Sequence, residues 1–429
     1  MRHAAFHCVF LRVPLTLAIA LGVFGLLGSA TSFAQPITTT LAEPAAPLTL
    51  ATALKLALAN NPEIAVARRE VEASDGAVMQ NSARANPELS FMQEDTRRAT
   101  RSSAVQLSMP IERGGKRAAR VDASQRGRDV AALELVERQG EVRAAVIAAF
   151  FEVLTAQERI RLSQETLSLT QQVTLLTGKR VLAGKISPVE ETRARVAESL
   201  IKVELAQVRG ELRVSRQKLS ALWGNVAPRF ERVDGALEKL PAVPTPASLD
   251  TRVAQSPALK RAEAEVARRG ALSRVEQTKR TQDPTVSLGL KHTPESSGQL
   301  LLGVSIPLAL FDNNQGNLLE ALRREDKARD EMSAQRLRLQ SQVMQARERL
   351  LTALTEVDAL QNEVLPGAQS AFEAASKGFD AGKFSFIDIL DAQRALVQVR
   401  TQTLRAIAET HRAATDIERA LGDNPAEPK

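Results

Sequence analysis

From Lys116 to about Thr177 the chain has no proline, and apolar residues return at helical spacing, as Ala145, Ala148, Ala149, Val153, Ala156, Ile160 and Leu167 illustrate. Read as one helix or two stacked helices, roughly 60 residues at about 1.5 Å each give a rod of about 90 Å. A second run extends from Leu318 to Val364. There Leu339, Val343, Ala346, Leu350, Leu354, Val357, Leu360 and Val364 alternate steps of three and four, a heptad-like stripe. Rods of this length pack side by side rather than around a compact core.

Between the rods the period changes to two. Leu89, Phe91 and Gln93 alternate within residues 87–95, and Val105, Leu107 and Met109 within 104–110. Val286, Leu288 and Leu290 alternate within 284–292, then Leu302, Val304 and Ile306 within 300–307. These are four predicted strands, near the minimum length for crossing a bilayer at a tilt. Two soluble hairpins capping a coiled coil would give the same local pattern. Four strands cannot close a transmembrane barrel, which takes at least about eight, so a spanning role requires several chains to share one wall. Three chains would supply twelve strands, and the pattern alone does not choose three over two.

The landmarks occur twice at nearly constant offset. Ala183-Gly184-Lys185-Ile186-Ser187 returns as Ala381-Gly382-Lys383-Phe384-Ser385, Ser108-Met109-Pro110 as Ser305-Ile306-Pro307, and Asn61-Pro62 as Ser256-Pro257. The period is far longer than a solenoid repeat, so the chain is a duplicated half. Gly184 and Gly382 suit the left-handed turn that ends a helix, Ser187 and Ser385 suit the cap of the next, and Pro188 fits a first helical turn. Each half then reads as a hairpin of long helices with its tip at Gly184 or Gly382. The expected organisation is a first repeat over 35–228, a proline-rich linker over 229–250, a second repeat over 251–422 and a polar, flexible tail over 423–429.

Residues 1–34 read as a cleaved export signal. Arg2 and Arg12 precede or border an apolar run from Val13 to Leu27, no acid occurs before Glu43, and Ser32-Phe33-Ala34 offers small cleavage residues. A membrane anchor is the alternative, but the run is short for one. The only cysteine, Cys8, falls inside this leader, so the mature chain has no disulfide, thiolate site or lipid-bearing cysteine. Removing Arg2 and Arg12 lowers the formal charge from +7 to +5. With both signs mixed along the helices, that surplus is a solvated surface and not a nucleic-acid footprint. Elsewhere no apolar run approaches the length of a spanning helix.

Several stretches together resemble the TolC-like outer-membrane efflux proteins and, within them, the CzcC-type heavy-metal branch. Leu50-Ala51-Thr52-Ala53-Leu54 with Asn60-Asn61-Pro62 resembles the family's opening helix, and Pro110-Ile111-Glu112-Arg113-Gly114-Gly115-Lys116-Arg117 its exit from the first strand pair. The stretch from Pro307 to Asn317, with Phe311-Asp312-Asn313-Asn314-Gln315-Gly316, is similar to the second exit and is the most branch-specific. Ala381 to Gln393 resembles the tip motif. Proline ends a strand because it cannot donate to the ladder, Gly114-Gly115 and Asn313-Asn314 permit tight turns, and Asp312 suits a helix cap.

The resemblance implies a mainly α fold with a small β part. It implies a homotrimer in which four strands per chain build one twelve-stranded barrel in outer-membrane lipid, above a helical cylinder in the periplasm. The implied role is the exit duct of a tripartite pump, joined to a periplasmic adaptor protein and an inner-membrane RND-type transporter, for heavy-metal cations. Drugs or organic solutes are the alternative cargo, and a periplasmic coiled-coil adaptor or scaffold is the alternative from another class. Two features depart from the pattern: there is no tyrosine and one tryptophan, Trp223, where barrels carry aromatic girdles, and the lipidated cysteine of many relatives is missing.

Candidate chemistry is confined to the tip. Asp388 and Asp391 lie three apart on one helical face, and the family's acids at these positions line the channel's inner mouth. Acids in a first helical turn also simply favour the helix dipole. The first-half counterparts are Glu190 and Arg193, and Arg193 is a candidate to pair with an acid across the tip. His292, in a strand, reads as a lumen or rim residue, and His411 lies in the last helix. No nucleophile–base set, metal-ligand motif or phosphate loop appears, so no catalytic residue, metal site or cofactor is expected.

Overall fold

The computed structural model describes residues 43, 47–97 and 99–422. The predicted leader and the tail over 423–429 lie outside the described residues. Two equivalent halves follow one another. The first contains β1 (Leu48–Thr49), α1 (Leu50–Asn60), α2 (Pro62–Ser82), β2 (Glu88–Glu94), β3 (Ser102–Pro110), α3 (Lys116–Leu182) and α4 (Pro188–Ala221). After β4 (Val233–Asp234) the second contains α5 (Pro246–Gln255), α6 (Pro257–Thr278), β5 (Thr285–His292), β6 (Ser297–Ser305), α7 (Gln315–Ala359), α8 (Leu365–Asp380) and α9 (Phe386–Leu421).

The repeated dipeptides have a local cause. Asn61 accepts hydrogen bonds from the Glu63 and Ile64 amides at 2.8 and 3.1 Å, and Ser256 accepts one from Leu259 at 3.3 Å. The following proline then occupies the first helical position, where its missing N–H costs nothing. Thus each pair starts α2 or α6.

The first rod is a single helix. α3 has 67 residues, about 100 Å at 1.5 Å per residue. The second is α7 and α8 joined through a five-residue π-helical stretch, Leu360–Val364, where the Leu365 amide bonds back to Leu360. The sequence pattern ends at Val364 because Pro366 should break a helix. The wider π turn lets the rod pass the proline by relaxing the usual hydrogen-bond ladder there.

The largest core lies midway along the rods. Val146, Phe150 and Val153 of α3 are buried with Leu48, Leu56, Ile64, Leu219, Trp223 and Phe230. A second cluster joins Leu249 and Val253 of α5 to Leu339, Val343 and Leu350 of α7 and to Ile417 and Leu421 of α9. Residues 229–250 are not a bare spacer. β4 pairs in parallel with β1, and Gln157 from α3 brackets Val233, donating to its carbonyl at 3.1 Å and accepting from its amide at 2.8 Å. Glu43 pins the start of this belt. Burial opposes its ionisation, but bonds from the Asn225 side chain, the Arg229 and Phe230 amides and the Trp223 indole outweigh that and hold its carboxyl below the usual range.

His411 closes the belt from the other side. Its ring is 5 % exposed, stacks on Phe151 at 3.9 Å, and its Nε2 lies 2.8 Å from the Leu237 carbonyl oxygen. Burial depresses its pKa, outweighing the bond to the carbonyl. The unfolded chain therefore takes up a proton near pH 6.5 that the folded chain refuses. Stability is full above that pH and falls as pH drops below it. Thermal unfolding of the wild type should shift to lower temperature between about pH 7 and 5, and His411→Gln should flatten that part of the slope. Parallel slopes would refute the assignment.

Candidate channel elements

The order β2-β3-β5-β6 makes an antiparallel sheet whose two edges have no strand partner among the described residues. Its register sorts side chains by face. Leu89, Leu107, Leu288 and Leu302 form one row, Phe91, Val105, Leu290 and Leu300 the next, and Met109, Val286 and Val304 a third. Side chains alternate along each strand, so all three rows share a face. The other face presents Ser90, Gln106 and Gly289, then Ser108, Ser287 and Gly303, with Met92 and Leu301 as apolar exceptions.

The eleven apolar side chains are between 42 % and 75 % exposed, so none of the described residues covers them. Full burial of each stabilises by about 1.5–3 kcal/mol; with half already gained, on the order of 10 kcal/mol remains unrealised in water. A patch of that size requires an apolar surrounding. Apolar on one face and polar on the other is the alternation of a barrel wall.

Two junctions feed the sheet into the rods. Pro110 is the last residue of β3, and Gly114 and Gly115 turn into α3 with φ of 69° and 75°. Asp283 holds this corner, accepting from the Arg113 amide at 2.8 Å and from Lys116 Nζ at 2.7 Å. Pro307 follows the end of β6. The second junction departs from expectation. Asp312 does not cap α7: its carboxylate accepts from the Asn314 amide at 2.8 Å and so shapes the turn. Asn314, at φ 61°, is the capping residue, and its side chain ties back to Glu276. Gly316 is the second residue of α7 and not part of the turn.

At the far end both tips use one device. The Lys185 amide reaches the Arg180 carbonyl at 2.9 Å, and the Lys383 amide reaches the Gly378 carbonyl at 2.8 Å. Gly184 and Gly382 sit in the left-handed region at φ 66° and 72°. These are helix ends closed by a six-to-one bond, which a glycine permits without strain. A contact between the halves, absent from the sequence reading, locks the tips together. The Arg180 guanidinium stacks over Phe379 at 3.9 Å and donates to the Phe379 carbonyl at 2.5 Å, beside buried Val173, Ala194 and Ile389. Gly378 is required beside Phe384, since a Cβ there would lie 2.2 Å from the Phe384 ring.

Asp388 and Asp391 lie on the exposed face of α9, opposite buried Ile389 and Gln393. Asp388 completes a capping box: its Oδ2 accepts from the Ser385 hydroxyl and amide, each at 2.7 Å. Those two bonds hold its carboxyl below the usual range. Asp391 lies 3.7 Å from Arg394. Arg193 does not reach across the tip in this chain; it lies 3.4 Å from Glu190 on its own helix. His292 ends β5 in the row beyond Phe91 and Leu290, at the sheet's rim. Among the described residues no group of three metal-ligating acids, histidines or cysteines occurs. No helix among them is long and apolar enough to cross a membrane.

A sequence profile described as "Outer membrane efflux protein" matches the chain twice, over residues 53–225 and 249–423. The chain belongs to the outer membrane efflux protein family. It is 44 % identical over 381 residues to the cobalt-zinc-cadmium resistance protein CzcC of Cupriavidus metallidurans, covering 89 % of this chain and 91 % of that one. A nickel-cobalt-cadmium resistance protein, NccC, of Alcaligenes xylosoxydans xylosoxydans is 25 % identical across 66 % of each chain. The fold matches the crystal structure of CusC with a TM-score of 0.75 at 19 % identity, over 87 % of this chain and 92 % of that one. It also matches the open-state MtrE outer membrane channel of Neisseria gonorrhoeae, with a TM-score of 0.73 at 17 % identity, over 87 % and 88 %. The family is one of efflux proteins and not of enzymes.

Proposed function

We propose that three copies of this efflux protein form the outer-membrane exit duct of a tripartite pump for divalent transition-metal cations. The carrying observation is the sheet: an apolar face left open and two edge strands, β2 and β6, without a strand partner among the described residues. Joining β6 of one copy to β2 of the next satisfies both edges, and three copies give about twelve strands, enough to close a barrel. The apolar rows then face lipid and the polar rows line a water-filled bore. Below it the rods continue the wall into the periplasm, after cleavage of the leader at residues 1–34 and without lipidation.

The tips form the inner mouth. Asp388 and Asp391 from three copies ring it, with Glu190 and Arg193 from the first-half hairpins beside them and the turns at Gly184 and Gly382 as its rim. Such a ring favours cations. The metal cargo rests on the likeness to CzcC. An adaptor protein and an RND-type inner-membrane transporter would complete the pump. The purified protein should migrate as a heat-modifiable trimer from outer-membrane fractions, and a deletion strain should become sensitive to cobalt, zinc or cadmium. A monomer in detergent would refute the duct, whereas unchanged metal tolerance with drug sensitivity would refute only the cargo.

A further inference from the structure

We propose that the turn between β2 and β3 is a binding site for phosphate-bearing lipid headgroups of the outer leaflet, and that it fixes the barrel's outer boundary in place of an aromatic girdle. The proposal rests on the barrel reading above. The apolar rows stop at Phe91, Val105, Leu290 and Leu300, and the last ladder pair of the hairpin is Glu94 with Ser102. Three residues beyond Phe91 is about 10 Å along a strand, which at a tilt of about 45° is about 7 Å along the bilayer normal, within one headgroup layer. The turn therefore begins where lipid phosphates lie.

Its conformation leaves two arginines exposed and engages its acid, also exposed, in hydrogen bonds. Asp95, at φ 63°, accepts from the Thr96 and Arg97 amides at 2.7 and 3.1 Å and from the Thr100 hydroxyl. The Arg101 amide bonds to the Arg97 carbonyl at 2.8 Å, so the two arginines stand one helical turn apart, both exposed. Residues one turn apart share a face. Glu94 is engaged by Lys291 at 2.9 Å and by Ser102 at 2.9 Å. Arg98 adds a further positive charge to the sequence of this turn, and Glu295 in the neighbouring β5–β6 turn is the opposing acid. Guanidinium pairs match phosphate oxygens bidentately, which suits a phosphorylated headgroup better than a zwitterionic one.

The test uses the full-length trimer in detergent with fluorescent lipid A carrying both phosphates, its dephosphorylated form, and inorganic phosphate as competitor. Arg97→Gln with Arg101→Gln should weaken capture of phosphorylated lipid A roughly thirtyfold, from about a fivefold loss per basic residue near a membrane surface. The Arg→Lys pair should retain more of the binding, and single-channel conductance should be unchanged in both. Equal affinity of the Gln pair, or equal binding of the dephosphorylated lipid, overturns the proposal. Full competition by inorganic phosphate alone overturns the lipid as occupant. A wild-type protein that forms no trimer and conducts no current sinks the barrel reading itself, a result separable from loss of lipid binding in a conducting trimer.

Discussion

Leu288→Arg is expected to abolish the heat-resistant trimer and remove the protein from the outer-membrane fraction. Leu288 sits in the middle row of the sheet, between Leu107 and Leu302, and is half exposed in the single chain. If that face meets lipid, an arginine there costs about 2–4 kcal/mol at the bilayer midplane. The proposed trimer would carry the substitution three times, so the penalty would approach the whole stability of a typical fold. The paired control is Gln106→Arg. Gln106 belongs to the row with Ser90 and Gly289, on the opposite face, and an arginine there would project into a water-filled bore. That variant should assemble and conduct with a changed selectivity. If both variants assembled alike, the two faces would be equivalent and the wall would not be a wall.

This contrast is legible in the sequence alone, because a period of two survives there wherever one face of a strand is apolar. The tips were readable for a similar reason: a glycine at a left-handed position, then a serine cap, is a local requirement repeated at Gly184 and Gly382. What the sequence concealed is long-range. Nothing local marks Arg180 as the partner of Phe379, 199 residues away, or explains why Gly378 must lack a side chain. The belt over 229–250 looked like a spacer because its prolines dominate the pattern. Its anchors, Gln157 and His411, come from helices where each reads as an ordinary polar residue. Asp312 was misread because an acid before a helix serves equally well in the turn that precedes the cap, and only the position of Asn314 separates the two.

Asp388→Asn together with Asp391→Asn should move the reversal potential in a planar bilayer under a salt gradient toward non-selectivity and weaken block by divalent cations. Clefts lined with one sign of charge raise local counter-ion concentration by tenfold to a thousandfold, so loss of the ring predicts block weakened on the order of a hundredfold. Asparagine keeps an acceptor oxygen for the Ser385 amide and hydroxyl, so the capping box and the helix start should survive. The carboxylates do not act alone. Arg394 lies 3.7 Å from Asp391, and Arg193 lies 3.4 Å from Glu190, so a base stands beside two of these acids. Arg394→Gln should therefore act in the opposite sense, deepening divalent block and strengthening cation preference. Opposite shifts from the two variants require the acids to face the permeating ions. A pair of acids that served only the helix dipole would leave the reversal potential unmoved in both, and the thermal stability alone would change.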